Sequence, residues 1–376
     1  MREDLIYRVW LSEATAERPA LARRLLEEFA TADGVWRAKP SEIGGLLKPD
    51  DPALRALFDK DLRTAGNIIK HCSQVGMDII SADEEEYPPL LKQIANPPLL
   101  LYVLGKMPDL RIRPVVTVVG PRIATAYGLF MAEKLGYQLA RAGVVVVSGL
   151  AAGSDAAAHN GALNAEGLTL AVLAGGADVC YPPANMPLYR RILESGAIIS
   201  ELSPGSRGSR YSFPRRNRIM SGISYGTAVT ETPSRSGALI TASHALEQGR
   251  TVYAVPANVG RLSEGSNGLL KSGAIAVTEG SDIIADLLPQ FSSVLLPELA
   301  SEDPRGERLP EPAAVAPEEN SYTDVARRIM EVLGDKPLLP DEIAQRTGID
   351  ISEISMTLTM LEIDGEVHRV GSGYTI

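Results

Sequence analysis

The fold of this chain is decided by the stretch Val115-Val-Thr-Val-Val119-Gly120-Pro-Arg122, a β-branched run that ends in a glycine turn. A helical pattern begins at about Thr125, and short apolar runs followed by helical patterns recur between residues 77 and 288. Such runs predict buried strands. They are Leu99–Val103, Val115–Val119, Val144–Val147, Leu170–Leu173, Ala197–Ile199, Thr227–Thr230, Thr251–Val255 and Ile275–Val277. Strands that alternate with helices predict an α/β fold, a doubly wound and mostly parallel sheet of the extended Rossmann-like kind.

Three other segments flank this predicted sheet domain of residues 77–288. Residues 1–76 alternate amphipathic patterns with Gly and Pro breaks, which predicts a small all-helical domain of the SAM or helix-hairpin-helix kind. Residues 289–320 contain six prolines and predict an extended linker. Residues 321–376 have three amphipathic helical patterns and a strand pair about Gly371-Ser-Gly373, which predicts a winged-helix domain.

Composition indicates a soluble, cytoplasmic protein. The 376 residues are 45% hydrophobic and 22% charged, which suits two or three globular domains. We expect no membrane span and no secretory signal, because no apolar run is long enough and the N-terminus carries early acidic residues. Cys72 and Cys180 are far apart without metal-like spacing, so we expect reduced, buried thiols.

The charge is unevenly distributed along the chain. The net charge is −10, yet residues 111–290 have 16 basic against 12 acidic side chains, whereas residues 321–376 have 5 against 10. Charge acts by region, so the sheet domain is the part best suited to a polyanion. The C-terminal unit is poorly suited to bind phosphates.

An arginine-rich stretch runs from Ser209 to Ile219. It places Arg210, Arg215, Arg216 and Arg218 around Phe213 and Asn217, and no Asp or Glu lies between Glu201 and Glu231. Arginines with an aromatic among them are typical of a surface that binds phosphates and bases, so we predict a concentrated cationic surface here. The alternative is a solvated basic helix or a salt-bridged interface.

Glycine turns follow several predicted strands. Because amides at helix N-termini bind anions, four such turns on one sheet edge predict a phosphate-lined surface. In the second turn, Ser154 or Asp155 is expected to cap the following helix. Each glycine alone could simply make a tight turn. The turns are Gly120-Pro-Arg122, Ser148-Gly149 through Gly153-Ser-Asp155, Ala174–Asp178 and Ser234-Arg-Ser236-Gly237-Ala238.

Signatures of catalysis are missing from the sequence. Neither a P-loop nor a complete G-x-G-x-x-G follows any predicted strand, so we expect no nucleotide cofactor. The four histidines stand alone, which indicates structural roles instead of metal ligation. The segment Gly222-Ile-Ser224-Tyr-Gly226 matches G-x-S-x-G but precedes a strand, which argues against a nucleophilic Ser224.

Taken together, the motifs closely resemble the DprA family (DNA-processing protein A, also called Smf) from about Ile80 to Ile284. The matching blocks are Val118–Arg122, Val147–Asp155 with Ala158-His159, Tyr181–Asn185, Ile199–Glu201, Phe213–Ile219, Ser236–Ala242 and Glu247–Arg250. The resemblance implies a single-stranded DNA-binding protein of natural transformation that protects incoming strands and loads the recombinase RecA. It implies no enzymatic activity, and a homodimer formed through the Rossmann-like domain.

The resemblance also assigns site residues. Arg122 and the turn Ser148-Gly149 would meet backbone phosphates. Arg216, Asn217 and Arg218 would line the pocket, and Phe213 would stack on or abut a base. The complete set of expected DNA-binding residues is Gly120, Arg122, Ser148, Gly149, Gly153, Phe213, Arg215, Arg216, Asn217, Arg218, Ser236 and Gly237.

Two other functions stay open at this point. Phosphoribohydrolases of the lysine-decarboxylase-like group share the strand-end architecture, but the loop Ser234–Thr241 lacks their paired glycines and carboxylate. A duplex-binding regulator could use the winged helix. Its third helix, Ser352–Asp364, has three acidic residues and no Lys or Arg, which favours contact with protein or weak contact with duplex.

Overall fold

The described residues of the N-terminal segment fold into six short helices. In the computed structural model, residues 4–15, 18–209, 211–301, 321–334, 336–363 and 365–376 are described. The helices surround an apolar cluster that includes Trp10, Leu25 and Leu57. The last of them ends at Gly76, whose φ of 69° is the left-handed cap conformation that glycine adopts without strain. The helices are α1 (Leu5–Ala14), α2 (Pro19–Phe29), α3 (Ala32–Arg37), α4 (Pro40–Gly44), α5 (Ala53–Phe58) and α6 (Arg63–Val75).

A nine-stranded sheet follows, in the order β1-β2-β6-β5-β4-β3-β7-β8-β9. The first two strands run antiparallel to their neighbours, and the strands from β3 onward pair in parallel. The strands are β1 (Met77–Ser81), β2 (Leu100–Gly105), β3 (Val115–Val119), β4 (Val145–Ser148), β5 (Thr169–Val172), β6 (Ala197–Ser200), β7 (Gly226–Val229), β8 (Thr251–Ala254) and β9 (Ile275–Ala276). The predicted doubly wound, mostly parallel α/β fold is confirmed.

Helices cover both faces of this sheet. One face packs against α10 (Ser212–Gly222) and α11 (Gly237–Glu247), with α12 (Glu264–Lys271) beside them. The other face packs against α7 (Ala126–Arg141), α8 (Ser154–Asn164), α9 (Met186–Ser195) and α13 (Gly280–Phe291). Side chains along a strand alternate between the two faces, so the valine runs supply both apolar clusters.

The topology sets the position of a ligand site. From β3 the chain builds the sheet outward to β6, and then returns to pair β7 against the other side of β3. Ligands in open α/β sheets bind outside the carboxyl ends of the strands at such a switch point. The loops that follow β3, β4 and β7 are therefore the ones that form the site.

Two expectations about these loops are wrong. The cap of α8 is Gly153, with no side-chain hydrogen bond, and Ser154 and Asp155 already lie inside the helix. The glycine turn after β5 opens no helix, since the next α-helix, α9, begins only at Met186. Gly175 and Gly176 instead allow close packing against the backbone of residues 203–208. Thr125 and Ser236 do cap α7 and α11 with their hydroxyls.

The predicted linker begins too early. Helix α13 continues through Pro289 to Phe291, and Phe291, Leu295 and Ala300 are buried against the sheet domain. Their apolar side chains hold residues 289–301 on the sheet domain despite the prolines. The rest of the predicted linker, residues 302–320, lies outside the described residues.

The C-terminal unit is a winged helix. It consists of α14 (Ser321–Val332), α15 (Pro340–Thr347), α16 (Ile351–Ile363), β10 (His368–Val370) and β11 (Gly373–Thr375), with the two strands antiparallel. Ile329, Ile343 and Leu358 are fully buried in its own core. Throughout the described parts of the chain, the helices are too short or too polar to cross a bilayer.

Candidate nucleic-acid interface

A narrow groove lies at the carboxyl edge of the sheet, where the loops after β3 and β4 meet the first turns of α10 and α11. It brings together six of the twelve expected DNA-binding residues. The lining consists of Val119, Gly120, Arg122, Ala151, Asp155, Phe213, Pro214, Arg216, Asn217, Met220, Gly237, Ala238 and Thr241. The groove therefore coincides with the switch point of the sheet.

Arg122 and Phe213 are the cationic and aromatic side chains that stay partly exposed in the groove. The guanidinium carbon of Arg122 lies 5.4 Å from the centre of the Phe213 ring, and both side chains are partly exposed. Tyr181 packs edge-on against the same ring, with 6.1 Å between ring centres. A guanidinium next to a supported aromatic ring can hold a phosphate and stack a base at the same time.

Arg216 points inward. Its guanidinium donates to the carbonyls of Gly149 (2.8 Å) and Val172, and its Nε donates to Asn217 (3.1 Å). The residue is 6% exposed, and burial lowers the pKa of its guanidinium to about 10. Arg216 thus holds the loop after β4 against the end of β5.

Asp155 occupies the anion position that the sequence assigned to phosphate. Its carboxylate accepts from the backbone amides of Gly149 (3.1 Å) and Ala151 (3.4 Å). Burial raises its pKa, and the neighbouring Arg216 opposes that rise. The prediction that the Ser148-Gly149 amides are open to a phosphate is therefore wrong for Gly149, because an internal carboxylate already binds that amide.

The glycines of these turns permit close approach of other groups. A Cβ at Gly149 would lie 2.2 Å from the Arg216 guanidinium, and one at Gly153 would lie 2.3 Å from the Arg122 carbonyl. Gly153 also has a φ of 76°, which side chains rarely adopt. At Gly120, a Cβ would lie 2.0 Å from the Thr230 hydroxyl. A side chain at any of these three glycines would clash with the neighbouring groups, so the shape of the groove depends on them.

Three more expected site residues have structural contacts. Ser148 is fully buried and donates its hydroxyl to the Val118 carbonyl (2.7 Å). Asn217 is buried and donates to the Gly237 carbonyl (3.2 Å), which joins α10 to α11. The hydroxyl of Ser236 accepts from the Ala238 amide (3.3 Å). Gly237 lines the groove, but Ser148 does not reach it.

The predicted cationic surface of the arginine stretch is wrong for Arg216 and Arg218. Arg218 makes two 2.6 Å contacts with the Glu201 carboxylate and donates to the Asn96 carbonyl, with its side chain 11% exposed. Arg215 lines a separate basic cleft against α2. Apart from Asn217, the partners of Arg216 and Arg218 lie elsewhere in the chain and leave no signal near residues 209–219. Arg210 lies outside the described residues.

The second wall of the groove was not expected from the sequence. Tyr181 and Pro182 line it together with Arg122, Gly149 and Phe213. The sequence motif that could have indicated this wall is the block Tyr181–Asn185. The side-chain amide of Asn185 donates to the Leu150 carbonyl (2.9 Å), which fixes the wall to the loop after β4.

Three residues outside the groove behave as their sequence context indicated. Ser224 is fully buried and hydrogen-bonds to Thr117 and Met220, as expected for a structural serine. Cys72 is buried and Cys180 half-buried, both are free, and burial raises the pKa of each thiol to about 11.

Comparison with known proteins adds an independent line of observation. A family model for DNA recombination-mediator protein A matches residues 78–288, and one for the DprA winged helix domain matches residues 310–373. Protein Smf of Synechocystis is 31% identical over 396 residues, covering 98% of this chain and 97% of that protein. The DNA processing protein DprA of Streptococcus pneumoniae is 42% identical over 201 residues, covering 53% of this chain and 71% of the relative.

Solved structures agree with these matches. The X-ray structure of DprA from Streptococcus pneumoniae aligns with a TM-score of 0.64 and 33% identity, covering 75% of this chain and 97% of that one. DNA processing protein A from Helicobacter pylori, a structure that shows a single-stranded DNA binding mode, aligns with a TM-score of 0.52 and 27% identity, covering 58% and 98%. The family match spans more than half of the sequence and coincides with the domain that contains the groove, so this chain belongs to the DprA/Smf family.

Proposed function

We propose that this chain binds single-stranded DNA in the groove without reading its sequence. We further propose that it protects incoming strands during natural transformation and loads RecA onto them. Backbone phosphates would meet Arg122, and a base would stack on Phe213. Contacts of these two kinds are tolerant of sequence, because every nucleotide has a phosphate and every base has a π-face.

The observation that carries this proposal is the Arg122–Phe213 pair at the switch point of the sheet. The ring is held by Tyr181 at 6.1 Å and the guanidinium lies 5.4 Å from it, so both groups are in place before a ligand arrives. Preorganised side chains lose less conformational entropy on binding. Base stacking on an aromatic side chain contributes about 1–3 kcal/mol.

Among the described groove-lining residues, the carboxylate present is Asp155, and it is engaged by two backbone amides. This arrangement favours a binding protein over the phosphoribohydrolase alternative, which requires a carboxylate aimed at the ligand. The family description as a recombination mediator and the Helicobacter pylori relative that binds single-stranded DNA support the same function.

We also propose a homodimer through the Rossmann-like domain. Strand β9 is an edge of the nine-stranded sheet, and exposed apolar side chains lie on the elements around it. Val259 is 99% exposed, Leu246 60% and Ile275 42%. Exposed apolar side chains on the elements near a sheet edge are typical of a protein interface. Two grooves joined in this way would form a longer track for one strand.

The test is fluorescence anisotropy with labelled oligo-dT over a salt series, comparing wild type with Arg122→Ala. We expect the variant to bind about tenfold or more weakly, since it loses a charge-assisted phosphate contact. The slope of log affinity against log salt should fall by about 0.7 for each lost phosphate contact. The matched control is Arg37→Ala, which removes the same charge from an exposed helix of the N-terminal domain.

Three results would contradict the DNA-binding proposal: no binding of oligo-dT, equal affinity for a blunt duplex, or an unchanged salt slope in Arg122→Ala. The role in recombination is tested by RecA filament assembly on DNA coated with single-strand binding protein. Wild type should shorten the lag and Arg122→Ala should not. If neither protein changes the lag of RecA filament assembly, the proposal that this chain loads RecA is wrong.

A further inference from the structure

The winged helix packs on the groove. Met360 of α16 is completely buried, and it forms one apolar cluster with Ala152 of the loop after β4. Tyr181 and Phe213 pack against the same cluster. Met360 is separate from the apolar core of the winged helix, so its burial comes from the contact between the two domains.

A second contact supports the same docking. Gly365, just after α16, lies so close to the loop after β7 that a Cβ there would be 2.8 Å from the Cβ of Arg235. Ala152 and Arg235 belong to two different loops of the switch point. The winged helix therefore spans the mouth of the groove instead of touching one side of it.

The docked surface is acidic and packs incompletely. A cavity of about 570 Å³ remains between the domains, with Phe213, Cys180 and Arg207 on one side and Glu353 and Met356 on the other. Asp350 also lines it. Side chains on the two sides of this cavity make no dispersion contacts across it, so this part of the boundary adds little to the docking. The carboxylates would repel the phosphates of a bound strand.

We propose that the winged-helix domain covers the single-stranded DNA site in cis and that DNA binds after the domain has moved away. The inference rests on the function proposed above, since it regulates that same groove. The face of Phe213 that packs against Met360 would otherwise be available to a base. The winged helix and single-stranded DNA therefore compete for this face. Apparent affinity then equals the intrinsic affinity reduced by the fraction of molecules that are open.

The test uses the full chain with Met360→Glu, measured by anisotropy with oligo-dT. Burying a charge against Ala152 is unfavourable, so the variant should populate the open form and bind at least about tenfold more tightly than wild type. Met360→Ala should increase affinity by a smaller factor, because it removes packing without adding charge. Ser355→Glu, which adds the same charge on the exposed face of α16, should stay within about twofold of wild type.

Hydrogen exchange gives an independent measurement on the same proteins. Adding oligo-dT to wild type should speed exchange of the Met360 and Gly365 amides, which lie at the two contacts with the sheet domain, only if the cover is displaced. Intact exchange protection of Ile329 and Ile343, in the core of the winged helix, shows that this domain is still folded. Unchanged or weaker affinity in both Met360 variants would overturn the inference, because α16 would then be neutral or would help to bind DNA.

If Arg122→Ala weakens binding while the Met360 variants change nothing, the proposed function stands and only the cover fails. If oligo-dT binds neither wild type nor Met360→Glu, both fail.

Discussion

The arginines around the groove have two different roles. Arg216 and Arg218 are buried by partners from other parts of the chain, namely the Gly149 carbonyl and the Glu201 carboxylate. Arg122, from a different loop, is the cation beside the aromatic ring. At the residue scale the chemistry of the site thus depends on which guanidinium groups are buried and which one lies, partly exposed, beside the aromatic ring.

Substituting Arg216 should affect stability more than DNA binding. Arg216→Ala leaves Asp155 buried without its cationic neighbour, and we expect the free energy of unfolding to fall by about 3 kcal/mol or more. Arg215→Ala, at the partly exposed neighbouring position, should cost less than about 1 kcal/mol. Urea unfolding followed by far-UV circular dichroism measures both. If the two variants are equally stable and Arg216→Ala lowers the salt slope of oligo-dT binding, Arg216 contacts a phosphate and this interpretation is wrong.

At the scale of elements, the close packing of α7 on α8 determines the positions of the loops after β3 and β4, because each of these loops leads directly into one of the two helices. Both helices have a glycine where their backbones meet. A Cβ at Gly136 would lie 2.2 Å from the Ala158 carbonyl, and one at Gly161 would lie 2.1 Å from the Glu133 carbonyl. Helix backbones at this distance leave no space for a side chain, so the crossing determines how the loops after β3 and β4 approach each other.

Gly161→Ala should destabilise the fold by about 1–3 kcal/mol, because the methyl group would push the two backbones apart. The matched control is Gly66→Ala in α6, where a Cβ would meet nothing within 4 Å. That change should raise stability by up to about 1 kcal/mol, since alanine favours helix more than glycine does. Thermal unfolding of both variants tests this directly. A neutral Gly161→Ala would mean that the crossing can relax.

At the scale of the whole molecule, folding is linked to protons through His159. Its Nδ1 lies 2.7 Å from the Thr169 hydroxyl, which itself donates to the Val146 carbonyl, so Nδ1 is the protonated nitrogen. Burial and the nearby Arg216 lower the pKa of His159 to about 3. The unfolded chain, with an ordinary pKa of about 6.5, binds this proton more readily.

Stability should therefore decrease as the pH falls from about 6.5 towards 3, by up to about 1.4 kcal/mol per pH unit from this one group. The raised pKa of Asp155 acts in the opposite direction, since its contribution is lost as the pH rises. Comparing wild type with His159→Gln by urea unfolding at pH values of about 7 and 5 cancels the Asp155 contribution. The variant should show the flatter pH profile. Parallel profiles would mean that His159 is not the group responsible.

The amino-acid sequence by itself determined the sheet, because β-branched runs, glycine turns and helix caps act through neighbouring residues. The resemblance in its motifs also identified the family and placed Arg122 and Phe213 in one site. Only the tertiary structure decided that Arg216, Arg218 and Asp155 are internal, and that residues 289–301 and the winged helix pack on the sheet domain. These outcomes depend on partners far away in the chain, such as Gly149 for Arg216 and Ala152 for Met360, and burial by a distant segment has no local pattern.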